Sequence, residues 1–98
     1  MENTMKLPAY DHSRSFVSYS GVKLPLNLVN PLEADEVDNR NTYFCGYYDE
    51  NGKMIACEKR VYGEVEFRHV YEYHGSGKLK SAIIEMEGDE PQRLDFPE

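Results

Sequence analysis

Apolar and polar residues alternate along the second half of the chain in four runs: Thr42 to Tyr48, Met54 to Val61, Val65 to Tyr73 and Leu79 to Met86. A period of two marks a strand with one buried face. The separators Asp49-Glu50-Asn51-Gly52, Tyr62-Gly63-Glu64 and Gly75-Ser76-Gly77-Lys78 are rich in turn residues, so the runs predict an antiparallel meander. One hairpin recipe is used twice, because Tyr48-Asp49-Glu50-Asn51-Gly52-Lys53-Met54 matches Tyr73-His74-Gly75-Ser76-Gly77-Lys78-Leu79.

Upstream, Ser15 to Ser20 has strand composition and Gly21 follows as a turn residue. Val22, Leu24, Leu26 and Leu28 alternate onto one face, and Pro25 restricts that strand to an edge or a short length. Asn30-Pro31-Leu32-Glu33 reads as a helix start, with Asn30 as N-cap and Pro31 at the first helical position. The predicted helix runs over about 31–39, with Leu32 and Val37 facing the sheet and Arg40 placed to pair with Glu36. Residues 1–13 lack a period and read as a loose arm with Tyr10 as its anchor, and residues 88–98 read as a solvated acidic tail. The expected fold is a single α+β domain over 14–87, an antiparallel meander of five or six strands with one short helix packed on a face.

Charge fixes the strand registers further. A three-residue loop at Tyr62 to Glu64 sets Arg60 opposite Glu66, Glu58 opposite Arg68 and Val61 opposite Val65, whereas the alternative faces Lys59 with Arg68. The core face then carries Ile55, Cys57, Val61, Val65, Phe67, His69, Tyr71 and Tyr73. A two-residue Ser76-Gly77 loop adds Ala82, Ile84 and Met86. The first hairpin has two solutions. A type I turn with a left-handed Gly52 sets Cys45 opposite Cys57, while a two-residue turn places Phe44, Gly46 and Tyr48 on the core face.

Composition narrows the function. A chain of 98 residues has room for one core, and 40% hydrophobic with 30% charged residues is a globular balance. The net charge of -7, from 18 acidic and 11 basic side chains, sets the protein against duplex nucleic acid and membrane surfaces. The N-terminus shows no apolar signal region and no run approaches the roughly 20 apolar residues of a membrane helix, so a cytoplasmic protein is expected. In that compartment Cys45 and Cys57 stay thiols.

Two constellations are candidates for chemistry. In the type I register Cys45, Cys57 and His69 form a row across three strands, a donor set suited to zinc or to a thiolate activated by imidazole, with His12 or His74 as a further ligand. Tyr43, Tyr47, Tyr71 and Tyr73 give the sheet a tyrosine-lined surface for a protein segment or a planar ligand. Glu58, Glu64, Glu66 and Glu72 read as a solvated face matched by Arg60 and Arg68, and no nucleophile elbow, phosphate loop or nucleotide fingerprint is present.

Tyr19-Ser20-Gly21-Val22-Lys23-Leu24-Pro25-Leu26, Val29-Asn30-Pro31-Leu32, Asn39-Arg40-Asn41-Thr42-Tyr43-Phe44 and Val61-Tyr62-Gly63-Glu64-Val65 together resemble a small family of bacterial proteins of unknown function. The resemblance spans about residues 16–84 and implies one bacterial cytosolic domain without supplying an activity. The Tyr-x-x-x-Gly-Lys turns are also similar to the tyrosine-rich hairpins of MORN-like repeat proteins. The reading that follows is a non-enzymatic interaction domain, binding a protein partner or forming a homodimer through a tyrosine-rich face or an edge strand. The competing reading is a small metal- or thiol-dependent enzyme or ligand binder centred on Cys45, Cys57 and His69.

Overall fold

Alternating sequence produces seven strands over residues 12–98, the part of the chain that the computed structural model describes. They are β1 (His12–Ser20), β2 (Asn27–Leu32), β3 (Thr42–Tyr48), β4 (Met54–Val61), β5 (Glu64–Tyr73), β6 (Leu79–Met86) and β7 (Gln92–Asp95), with a one-turn helix α1 (Ala34–Val37) between β2 and β3. All seven lie in one antiparallel sheet of order β2-β1-β3-β4-β5-β6-β7. The arm expected over 1–13 falls largely outside the described residues, as does Tyr10; His12 and Ser13 already belong to β1.

The repeated hairpin recipe holds at atomic detail. In one turn Gly52 N–H donates to Asp49 O and Asp49 N–H to Lys53 O; in the other Gly77 N–H donates to His74 O and His74 N–H to Lys78 O. Gly52 and Gly77 occupy φ of +84° and +96°, the left-handed conformation that glycine alone adopts without strain. The β4–β5 connection differs from expectation. It is a two-residue turn with both Tyr62 and Gly63 at positive φ, whose twist matches that of the flanking strands.

Each hairpin then carries a bulge that separates the turn from the register beyond it. Glu66 is the extra residue in β5, so Glu58 faces Arg68 as charge matching requires, while Arg60 faces Val65 rather than Glu66. Lys80 is the extra residue in β6, and past it Tyr71 faces Ala82, His69 faces Ile84 and Phe67 faces Met86 as expected. In the first hairpin the type I turn forms, yet Ile55 is left unpaired and Gly46, not Cys45, faces Cys57. The turn of one alternative is thereby combined with the strand register of the other.

Two further expectations are corrected. Asn30 and Pro31 continue β2 instead of starting a helix, Asn30 at φ +64° and Pro31 opposite Phe16. Pro31 lacks an N–H, which is tolerated because β2 is an edge strand. The helix begins later, capped by Glu33, whose N–H donates to Glu36 Oε1 in a capping box, and it buries no residue. The stretch read as a solvated tail supplies β7, where Leu94 faces Ala82, and Phe96 beyond it packs on the core while its N–H donates to Lys80 O.

Because the helix covers nothing, another segment must close the core. The β1–β3 pairing ends at Phe16, and the far part of the β1–β2 hairpin folds across one face of the sheet. Its loop brings Leu24 and Leu26, with Leu28 from β2, onto Cys57, Tyr71 and Ala82, joined by Met54, Tyr73, Leu79 and Phe96. Leu26 N–H donates to the Tyr71 hydroxyl at 3.1 Å. Successive ring contacts link Tyr19, Phe44, Phe67, His69 and Tyr71 at centroid separations of 5.4, 6.1, 5.1 and 5.7 Å, the edge and tilted geometries that aromatic quadrupoles favour.

Gly46 makes this closure fit. A Cβ there would lie 2.8 Å from Tyr48 Oη and 3.0 Å from Leu28 Cδ1. Both atoms end flexible side chains, so Gly46→Ala is expected to fold but to lose about 1–2 kcal/mol through overpacking. Urea denaturation should show a lower midpoint at unchanged slope.

Candidate functional site

The sheet has a core face, beneath the hairpin loop, and an outer face. Strand parity and the bulges distribute the candidate residues between them. Cys57, His69, Tyr71 and Tyr73 lie on the core face, whereas Tyr43, Cys45 and Tyr47 lie on the outer one, Cys45 facing Glu58 across the β3–β4 pair. Neither the cysteine–histidine row nor the four tyrosines therefore share a face. Among the described residues no group of three or more His, Cys, Asp and Glu side chains is arranged to hold a metal ion.

On the core face three polar groups meet at the Tyr71 hydroxyl. It lies 2.8 Å from His69 Nδ1 and 3.7 Å from Cys57 Sγ, and it accepts the Leu26 N–H. That acceptance leaves the phenolic proton available to Nδ1 of the neutral imidazole. Burial lowers the His69 pKa below its ordinary 6.5 and pushes the Cys57 thiol up to about 11, in spite of its contact with the Tyr71 hydroxyl. A thiol held protonated is the reverse of an activated nucleophile. Tyr73 anchors the same face by donating to Met54 O, with Lys53 Nζ 4.4 Å above its ring. His74, the other candidate ligand, donates Nε2–H to Phe96 O.

The outer face is organised around Glu58, which is 1% exposed. Its Oε1 accepts from Tyr47 Oη at 3.0 Å and Arg60 Nε at 3.0 Å, and its Oε2 accepts from Arg68 Nε at 3.1 Å and Nη2 at 2.9 Å. One carboxylate thus fastens three strands. Burial alone would raise its pKa, but the hydrogen bonds from Arg68 and Tyr47 and the charge of Arg60 hold it below 4.5. With both oxygens occupied and the ionised form favoured, Glu58 is a clamp and not a proton acceptor. Cys45 sits beside it, its thiol pKa raised by burial. Sequence reasoning placed Glu58 among solvated acids; the available signal was its register position opposite Arg68.

Beside the clamp runs a row of mutually facing positions, Tyr47, Ala56, Val70 and Ile83, one from each of four adjacent strands. The parallel row is Cys45, Glu58, Arg68 and Glu85, with Arg68 Nη1 3.9 Å from Glu85 Oε1. Along that stripe Ala56 is buried and Tyr47, Val70 and Ile83 are half-buried, and α1 buries no residue. An apolar stripe flanked by charges of both signs is the anatomy of a recognition surface. No helix of the described residues is long and apolar enough to cross a membrane.

Comparison with characterised proteins and with solved structures yields no match. A family model matches residues 8–98, nearly the whole chain and every strand described above. The chain belongs to DUF6156, a family of unknown function.

Proposed function

We propose that this chain is a non-enzymatic bacterial cytoplasmic interaction domain that binds through its outer sheet face, with a second copy of itself as the partner. The observation that carries this reading is the Tyr47, Ala56, Val70 and Ile83 stripe, a continuous apolar row across four strands beside the Arg68 and Glu85 charges. The adjoining row carries Arg68 and Glu85, opposite charges that a two-fold related copy can pair reciprocally. Tyr43 and Tyr47 contribute aromatic area to this surface.

The sheet edges favour the face over strand addition. β2 carries Pro31 and a left-handed Asn30, and β7 is four residues long between Pro91 and Pro97. Both are features that resist pairing with another strand. Light scattering coupled to size exclusion should give twice the chain mass at micromolar concentration, and Ile83→Glu should give the monomer mass with an unchanged circular dichroism spectrum. A wild-type protein that stays monomeric up to the highest soluble concentration overturns the reading.

A further inference from the structure

Where the tip of the β1–β2 loop reaches the far side of the sheet, the closure leaves a depression of roughly 500 Å³ lined by Val22, Lys23, Leu24, Leu79, Leu94 and Phe96. Five of these six residues are apolar. Val22, at the loop tip, is 95% exposed, an unusual setting for a β-branched apolar side chain. Leu24, Leu79 and Phe96 continue inward to the core cluster, so the floor of the depression is the packed interior itself. Lys23 forms no ion pair or hydrogen bond with any described residue, which leaves its ammonium at the rim of an apolar seam without a counter-charge.

We infer that this seam binds a small aliphatic monocarboxylate, with its chain along Val22, Leu24, Leu79, Leu94 and Phe96 and its carboxylate on Lys23. Apolar walls with one polar group at the mouth are the usual build of a small-molecule site, and the volume lies in the range of such sites. Charge selects the class. A single lysine on a flexible stem acts as a compact point charge, matching one carboxylate, whereas a cationic amphiphile would leave two ammonium groups facing each other. A neutral chain would gain only the burial of its methylenes, about 0.8 kcal/mol per buried CH₂, or roughly a fourfold gain in affinity for each.

This site is on the opposite side of the sheet from the outer-face stripe, so the two readings fail separately. The test is a titration followed by the backbone amide spectrum of the full chain, using sodium octanoate, 1-octanol and octylammonium chloride as probes. Octanoate should give saturable shifts confined to residues 21–25, 79–80 and 94–96, with octanol weaker and octylammonium weakest. Lys23→Gln, on an exposed loop position, should weaken octanoate about fivefold and leave octanol unchanged, the loss of one exposed ion pair. The proposal is overturned by non-saturating or scattered shifts, by equal binding of octanoate and octylammonium, or by a Lys23→Gln protein with wild-type octanoate affinity. Concentration-dependent shifts at the seam without any probe would also overturn it, by assigning the depression to a second copy.

Discussion

Glu58→Ala is expected to cost the domain about 2–3 kcal/mol, the largest loss from any single outer-face substitution. Removing one member of a buried ion pair typically costs 3–5 kcal/mol, because the remaining charges stay desolvated. Here the Arg60 and Arg68 side chains retain 32% and 20% of their exposure, so water partly replaces the lost carboxylate and the cost is discounted. Tyr47 also loses its hydrogen bond to the carboxylate. Glu58→Gln keeps the volume and removes the charge, and it should recover less than half of the loss, since its amide nitrogen faces donors. Urea denaturation of the three proteins at neutral pH checks the ranking.

The same carboxylate sets an acid limit. Its folded pKa is depressed, so its contribution is complete above the unfolded value near 4.5 and is lost as pH falls through the folded value below that. Glu58→Gln should therefore flatten the stability profile below pH 4.5. His69 acts in a separate window. Its folded pKa is also depressed, here by burial of a base, so the unfolded chain takes up a proton first and stability declines as pH falls from 6.5 through the folded value. His69→Gln should remove that upper slope and leave the lower one. A wild-type profile flat from pH 7 down to 5 would refute the assignment to His69.

Tyr71→Phe is the second large expectation, about 2–3 kcal/mol. The phenol is buried, and deleting its oxygen leaves the Leu26 N–H without an acceptor and His69 Nδ1 without its partner. Each stranded polar group costs about 1–3 kcal/mol, while the ring itself still fills its space. The loss should be local before it is global. Hydrogen exchange at the Leu26 amide should accelerate more than at the amides of β4 and β5, because the loop held by that bond opens over the core without unpairing the sheet. Uniform acceleration at all of these amides would mean that the hydroxyl supports the sheet and not the loop.

The contrast between these two positions shows what was legible in the chain. Glu58 opposite Arg68 follows from charge matching, yet the same acid read as solvated because a sequence does not reveal how deeply a side chain will be enclosed by its neighbours. His69, Tyr71 and Cys57 fall on one core face once charge matching of Glu58 with Arg68 sets the register, and the structure places them there. Cys45 was not separable from them, because a single bulge at Ile55 decides its side. β7 carried a readable signal in Arg93-Leu94-Asp95-Phe96, an alternation that the surrounding acidity obscured.

By itself the sequence determined what depends on neighbours along the chain: strand periodicity, the two left-handed glycine turns, and the Glu58–Arg68 and Tyr71–Ala82 pairings that charge and apolar matching select. The tertiary structure decided whatever depends on groups far apart in the chain. The bulges arise where turn closure and lateral packing demand different registers, and an extra residue reconciles them. The β1–β2 hairpin covers the core because a one-turn helix has too little surface to do so, and Gly46 lets Leu28 approach. Those long-range choices divide the tyrosines between two faces and set Cys45 apart from Cys57. They also create both the outer stripe and the seam at Lys23.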